Sequence, residues 1–579
     1  MGGLSTAVPG GRLHLYRGRS SLVTDAVIFA GALAALYALL GVGRVWLAPF
    51  HASAEISRSP WRLPLYATYS LGRMGAAYVA SLLFALVYAY AAARNRTAER
   101  LLIPLLDILQ SIPVLSFLPG VMLAMVALFP GRQIGLELGS ILLIFTGQVW
   151  NLAFSFYASL KGLPQELVEA SRTYRFGRWQ QFYQLELPFG TIGLVWNSLM
   201  SVAGGWFFLM ACEMFQLGNR DFRLPGLGSY LQTAANDGDT AAIVWGMAAM
   251  IAVILMLDQL LWRPLIAWAE RFKFEQVESG NAPQSMVLAR LGRSSLLAWL
   301  MRKALAPAWE MLTLRMARRE AGSPTEKEPA QWRALAMRGA GVAVLVVILY
   351  GTVRAGRSLM ELTMGDVMAL VRGAEATLGR VMLSLAIGTA WTIPVGVAIG
   401  SRPRLAALAQ PVAQIAASVP ATALFPIVLL VLIRMGGGMG IAAIVLMLLG
   451  TQWYLLFNII AGAQAIPTDL KEVASVYRLS GWDRWRLLIL PGIFPYLVTG
   501  LVTAAGGAWN ASIIAEYFHF QGRVMSTTGL GATISHATDS GNFQLLLAST
   551  MVMALVVVGI NRLVWKRMYR MAQTRFQLA

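Results

Sequence analysis

Apolar residues in this chain fall into long runs separated by short polar connections. A bilayer-spanning helix needs about 20 mostly apolar residues. By that ruler the sequence predicts about twelve spans. Six lie near 22–48, 66–93, 101–128, 138–160, 191–217 and 239–262, and six near 339–354, 373–400, 407–434, 440–463, 495–518 and 541–563. Several read as helices by length rather than by periodicity. They contain Pro113, Pro119, Pro394, Pro420 and Pro426, which spanning helices tolerate where neighbours satisfy the freed backbone groups. Gly2 to Ser20 is basic and Gly-rich, the run after it is too long, and no small-residue cleavage site follows. It therefore does not read as a secretory leader.

The basic residues are segregated between alternating connections. One set of connections carries Arg12, Arg17 and Arg19; Arg94, Arg96 and Arg100; Lys161, Arg172, Arg175 and Arg178; and the long segment from Arg263 to Arg338. The set continues with Arg402 and Arg404, then Lys471, Arg478, Arg484 and Arg486, and ends with Lys566, Arg567, Arg570 and Arg575. The alternating set is sparse, with Arg58, Arg62, Arg132, Arg220, Arg223, Arg357 and Arg523 as most of it. The positive-inside rule then places both termini and the central segment on the cytoplasmic side of a bacterial-type inner membrane. An even number of spans agrees with that. Composition narrows the class further. Of 579 residues, 57% are hydrophobic and 13% charged, far from the usual soluble balance. The net charge of +19 is a topology signal, because no basic stripe with interleaved aromatics marks a nucleic-acid surface. One cysteine, Cys212, excludes an internal disulfide, and four histidines make a histidine-built metal site improbable.

The second half of the chain repeats the first. An offset of 303 relates Gly147 to Gly450, Trp150 to Trp453, Pro164 to Pro467, Glu169 to Glu472, Pro188 to Pro491, Trp206 to Trp509 and Glu213 to Glu516. The same offset relates Gly226-Leu227-Gly228 to Gly529-Leu530-Gly531. Earlier in each half the offset is 307, as in Arg73 and Arg380 or Pro113 and Pro420. Each half has an even number of spans, so the two repeats share one orientation and a pathway is expected between them. The resulting division is 1–21 N-terminal segment, 22–263 first repeat, 264–338 basic connector, 339–566 second repeat and 567–579 tail. Within the connector, Leu288, Leu291, Leu296, Leu297 and Leu300 with Arg290, Arg293, Arg302 and Lys303 read as a basic helix on the inner leaflet.

Between the fourth and fifth spans of each half lies a matched segment. Pro164 or Pro467 is followed two residues on by an acid, a good helix start. Apolar residues then recur at helical spacing, Leu167, Ala170 and Tyr174 in one copy and Leu470, Val473 and Tyr477 in the other. An amphipathic helix of this kind suits docking into a groove on a soluble partner.

These segments resemble the cytoplasmic signature of permease subunits of ATP-binding-cassette importers. Glu169-Ala170-Ser171 and Glu472-Val473-Ala474 match its Glu-Ala-Ala, and Leu187-Pro188 and Leu490-Pro491 its closing Leu-Pro. Trp179 and Trp482, and the Trp206 and Trp509 runs leading to Glu213 and Glu516 and then Gly-Leu-Gly, resemble the nitrate, sulfonate, taurine and bicarbonate branch. The resemblance covers about 66–263 and 373–566. It implies an all-helical fused permease, with two spans-of-six replacing two separate subunits. It also implies two cytoplasmic ATPase subunits carrying ATP and Mg, a periplasmic substrate-binding protein, and a small anion or organic acid as substrate. The chain has no Gly-x-x-x-x-Gly-Lys-Ser/Thr phosphate loop, so it is expected to hold no cofactor itself. One departure is shared by both copies. Arg175 and Arg478 stand where the family places a turn-forming Gly, and Gly177 and Gly481 are expected to take over the turn.

Polar side chains inside spans are costly and face the protein interior. The pathway candidates are Gln148, Asn151, Asn197, Trp206, Glu213, Thr451, Gln452, Trp509, Asn510 and Glu516, with Asn458 near the same spans and Gln110, Ser111, Gln414 and Ser418 before the prolines of the third spans. For Glu213 and Glu516 the competing expectation is structural pairing near a helix end. Arg73 and Arg380 are expected to snorkel toward the interface. No paired acids or Ser/His arrangement suggests catalysis. An ion-gradient-driven transporter with parallel repeats is the alternative, though it needs no matched docking loops.

Overall fold

The computed structural model describes residues 22–49, 56–217, 220–272, 286–291, 294–300, 302–303, 306–321, 339, 346, 349–520 and 523–575. Among them, eight helices are long and apolar enough to cross a membrane, four in each half. In the first half these are Pro60–Arg94, Gln133–Lys161, Arg178–Glu213 and Thr240–Phe272. In the second they are Met364–Gly400, Met439–Ala465, Gly481–Ala515 and Phe543–Ala572. The first predicted span is also helical, as Leu22–Trp46. Half of the seventh, near 339–354, lies outside the described residues, as do all of the N-terminal segment 1–21 and much of the connector. The chain is an all-α polytopic membrane protein in two repeats.

The third span of each half departs from the expected continuous helix. Residues 101–128 form the end of Arg96–Ser111, a short turn Val114–Phe117 and the helix Leu118–Leu128. Residues 407–434 divide into Pro403–Ser418 and Ala421–Arg434. The breaks fall at Pro113 and Pro420. A proline ring pushes the preceding residue out of the helical region, and Ile112 and Val419 are indeed extended. The fifth spans, in contrast, begin earlier than expected, at Arg178 and Gly481. Pro188 and Pro491 sit inside them, each just after a widened π-turn, Phe182–Glu186 or Trp485–Ile489. A wide turn accommodates the missing N–H and the ring without ending the helix.

After each fifth span comes a short antiparallel hairpin that the sequence pattern did not indicate. It pairs Gln216–Leu217 with Arg220–Asp221, and Tyr517–Phe520 with Arg523–Ser526. A short helix follows, Leu227–Asn236 or Leu530–Asp539. In each half the helices preceding and following the matched segment pack side by side, and the second span packs against the first of them. One apolar cluster runs through both halves, joining Ala77 and Trp206 to Phe425 and Trp509. Polar contacts also cross between halves. The Leu115 N–H donates to Asn510 Oδ1 at 3.3 Å, and Gln232 Nε2 to the His519 carbonyl at 2.9 Å.

Among the described residues the connector opens with the helix Arg263–Ala269 and the turn Glu270–Phe272, and its basic stretch is divided between Met286–Leu291 and Ser295–Leu300, followed by Ala306–Ala321. The last packs beside Arg178–Gln181, with the Trp309 ring 4.8 Å from that of Tyr183.

Equivalent glycines of the two repeats differ in room. A Cβ at Gly147 would run into the Phe208 ring, whereas at Gly450 it would meet only the Ala421 methyl at 3.6 Å. Gly147→Ala is expected to lower stability by about 1–3 kcal/mol through overpacking, and Gly450→Ala to leave it unchanged or slightly raised. Thermal unfolding of the detergent-solubilised chain measures both, and equal effects would contradict the packing asymmetry.

Candidate functional site

Three sites emerge from the repeat: a cavity between the halves, a pair of matched segments at one end, and a pair of buried ion clusters at the other. The cavity has a volume of about 510 Å³ and is lined by both halves. Trp150, Asn151, Phe207 and Phe208 come from the first half, and Trp453, Tyr454, Phe457, Trp509 and Asn510 from the second. Gln110, Gln410, Gln414 and Asn561 add amides. Among the described residues, no Asp, Glu, Lys, Arg or His lines it. Its walls offer hydrogen bonds and ring faces without fixed charge, an environment that accepts a polar solute without trapping an ion.

Of the pathway candidates, Asn151, Trp509 and Asn510 line this cavity, as do Gln110 and Gln414. The others lie elsewhere. Gln148 is buried, with Nε2 3.1 Å from Met74 Sδ. Asn197 and Asn458 donate to the Gly193 and Tyr454 carbonyls of their own helices. Trp206 is core, Gln452 is buried, and Thr451 is buried with its hydroxyl on the Met447 carbonyl. Glu213 and Glu516 lie in the ion clusters. Of the aromatic walls, the sequence singled out Trp509 alone; Trp150, Phe207, Phe208, Trp453, Tyr454 and Phe457 join it. The spacing of three between Gly147 and Trp150, repeated as Gly450 and Trp453, puts glycine and indole on one helix face and was the available signal.

The matched segments form short helices, Gln165–Thr173 and Thr468–Val476, capped by Pro164 and Pro467. Glu169 and Glu472 are exposed, as are Ala170, Tyr174, Val473 and Tyr477, while Ser171 and Ala474 face inward. The expected turn at the glycines is corrected. Arg175 and Arg478 themselves take the left-handed conformation, each with φ of 53°, while Gly177 stays at −65°. Only Gly481 joins the turn, with φ of 53°. Each Arg closes a two-bond helix stop. Phe176 N–H reaches the Ser171 carbonyl and Arg175 N–H the Arg172 carbonyl, both at 2.9 Å. Leu479 and Arg478 repeat the pattern on Ala474 and Ser475 at 2.9 and 3.0 Å. Such a stop needs a left-handed residue, so the backbone keeps the shape and the side chain bears the strain. The two exposed faces are not identical. Trp482 is exposed, whereas Trp179 is half-buried against Phe182. Among the described residues, charge braces the first copy. Tyr157 Oη and Lys161 Nζ donate to Glu99 at 2.5 and 2.9 Å, which holds its carboxyl below the usual range. Arg94 pairs with Glu186 at 2.5 Å.

At the opposite end, Arg73 does not snorkel. Its side chain is fully buried, with Nε and Nη2 gripping the Glu137 carboxylate at 2.6 and 2.8 Å and Nη1 reaching Glu213 at 2.8 Å. Glu213 also accepts from the Ser70 hydroxyl and the Gly228 N–H, both at 2.7 Å. Arg380 likewise reaches Glu516 at 2.7 Å, and Glu516 accepts from Thr377 and from the Gly531 N–H. Gly226 and Gly529 are required here, since a Cβ on either would collide with the carboxylate. Neither acid is among the residues that line the cavity.

The fold and the repeat define a multi-pass, internally duplicated transport permease. The chain belongs to the family described as binding-protein-dependent transport system inner membrane component, whose model matches twice, at residues 80–261 and 392–576. It is similar to the nitrate import permease protein of Leptolyngbya laminosa, 30% identical over 189 residues, or 33% of this chain and 64% of the relative. A bicarbonate transport system permease protein of Synechocystis is 33% identical over 141 residues, 24% of this chain and 49% of the relative. The taurine transport system permease protein of Escherichia coli is 28% identical over 181 residues, 31% and 62%. The chain thus spans less than two thirds of the length of these relatives.

Two predictions follow from the site geometry. Arg73→Met leaves two buried carboxylates without their cation and is expected to cost about 3–5 kcal/mol, with a smaller loss for Arg380→Met, which strands one. Thermal unfolding compares them, and an equal loss would contradict the unequal clusters. Arg175→Gly and Arg478→Gly remove the left-handed penalty and are expected to gain about 1 kcal/mol each. Loss of stability in either would show that the Arg side chain, not the turn, holds the segment.

Proposed function

We propose that this chain is the whole membrane permease of an ATP-driven importer, its two halves enclosing one translocation cavity and each presenting one docking segment to a cytoplasmic ATPase subunit. The observation that carries the reading is the duplication of the docking segment. Both copies share the Pro cap, the exposed Glu, the left-handed Arg and the continuous helix that leads from the segment to the cavity wall. A rigid path from docking surface to cavity is what nucleotide-driven alternation requires. The residues assigned to coupling are Pro164, Glu169, Ala170, Ser171, Tyr174, Arg175, Gly177, Trp179 and Pro188, with Pro467, Glu472, Val473, Ala474, Tyr477, Arg478, Gly481, Trp482 and Pro491. Both termini are cytoplasmic in this reading, and ATP and Mg act on the partner ATPases. A periplasmic binding protein delivers a small anion or organic acid, the class named in the relatives' nitrate, bicarbonate and taurine descriptions.

The cavity fits that role through chemistry rather than charge. Neutral amides and indoles stabilise a passing anion weakly, so release is fast. Selectivity then falls mainly to the delivering protein.

Charge reversal tests the docking assignment. The double variant Glu169→Arg with Glu472→Arg is expected to lose ATPase co-purification and at least tenfold of uptake, with the permease still folded. Retained association and uptake would refute the assignment.

A further inference from the structure

The two ion clusters are copies of one design, in which Thr377 and Thr527 replace Ser70 and Leu224 and the largest change falls at Glu137. In the first repeat the Arg73 guanidinium uses its whole Nε–Nη2 edge to hold the Glu137 carboxylate, and Nη1 to hold Glu213. The position equivalent to Glu137, at the offset of 303, is Gly440. In the second repeat Nη1 of Arg380 holds Glu516 and the Thr528 carbonyl, both at 2.7 Å, and Nη2 donates to Thr527 Oγ1 at 2.9 Å. The Nε edge faces Gly440. A Cβ built there would have Thr527 Oγ1 at 3.7 Å and Arg380 Nε at 4.0 Å as its nearest neighbours. The space that a glutamate side chain fills in the first repeat is thus only partly filled in the second, by the Thr527 hydroxyl that takes one Nη2 hydrogen. The arginine is correspondingly no longer sealed, at 14% exposure against 0% for Arg73.

We propose that Arg380, Thr527 and Gly440 form a binding site for a small planar oxyanion, at the end of the second repeat opposite the docking segments. The ligand takes the place of the Glu137 carboxylate. Its two oxygens lie along the Nε–Nη2 edge, the bidentate geometry that guanidinium offers to carboxylate-like groups. Thr527 can turn its hydroxyl hydrogen to the same ligand. The charge balance has a precedent inside the molecule. One guanidinium with two carboxylates is held, fully buried, in the first repeat. Arg380 with Glu516 and one bound anion reproduces it, in a place that remains accessible. The inference stands apart from the importer reading, because it concerns equilibrium binding to this chain alone.

The test uses the full-length detergent-solubilised chain, without any partner, and nitrate as the probe by equilibrium dialysis at low ionic strength. Wild type is expected to bind one equivalent saturably, displaced by acetate and at least tenfold less well by chloride. Gly440→Glu supplies the first repeat's own carboxylate, so it should fold, and it is expected to weaken binding at least tenfold. Glu137→Gly opens the matching space beside Arg73 and is expected to raise the stoichiometry to two. No saturable binding in wild type, or unchanged binding in Gly440→Glu, would overturn the proposal. So would a folded Glu137→Gly that still binds one equivalent. None of these results bears on ATPase-driven uptake, so the site and the importer reading fail separately.

Discussion

A guanidinium can be buried in a membrane protein only where carboxylates and hydrogen-bond acceptors meet it, and the end of each half opposite the docking segments is organised by that requirement. Arg73 ties its own helix to the start of Gln133–Lys161 through Glu137 and to the end of Arg178–Glu213 through Glu213. Glu213 in turn gathers Ser70 and the first turn of Leu227–Asn236. Arg380, Glu516, Thr377 and Leu530–Asp539 repeat the gathering. Removing one charge would strand its partner at several kcal/mol, so these helices hold together at that end. With one end of each half clamped, the interface between halves, where the cavity lies, is where the proposed transport cycle places relative movement.

The repeats are copies with unequal bracing. The first half has Glu137 in its cluster, Glu99 with Tyr157 and Lys161 before its docking segment, and Arg94 with Glu186 beside it. The second half has glycine, alanine, glutamine, serine and isoleucine at the positions equivalent to Glu137, Glu99, Lys161, Arg94 and Glu186. A fused chain permits this divergence, because each half always meets the other and neither has to pair with itself.

Much of this architecture was legible in the sequence. Long apolar runs gave the spanning helices, since a spanning helix must satisfy its backbone internally, and the fixed offset gave the two halves. The proline breaks at Pro113 and Pro420 and the π-turns before Pro188 and Pro491 were not, because run length cannot show where a helix bends. The acids were half legible. Glu213 and Glu516 stood out as charges in apolar runs, but their partners lie some 140 residues away in sequence, a distance that local patterning does not bridge. The cavity walls were least visible. Trp150, Trp453 and Phe457 look like core side chains until the second half is set against the first. Arg175 and Arg478 show the limit of motif reading: the turn stays where the family has it, and a side chain that dislikes the left-handed region occupies it twice.

The central claim is that each half moves as a clamped unit and the halves move against each other. Spin labels at Tyr174 and Tyr477, both 76% exposed on the docking segments, report the distance between halves. Labels at Trp61 and Tyr174 report the length of the first half alone. On adding the ATP-loaded ATPase partner, the Tyr174–Tyr477 distance should shift while the Trp61–Tyr174 distance stays fixed. A change of equal size within the first half, or none between the halves, would contradict the account.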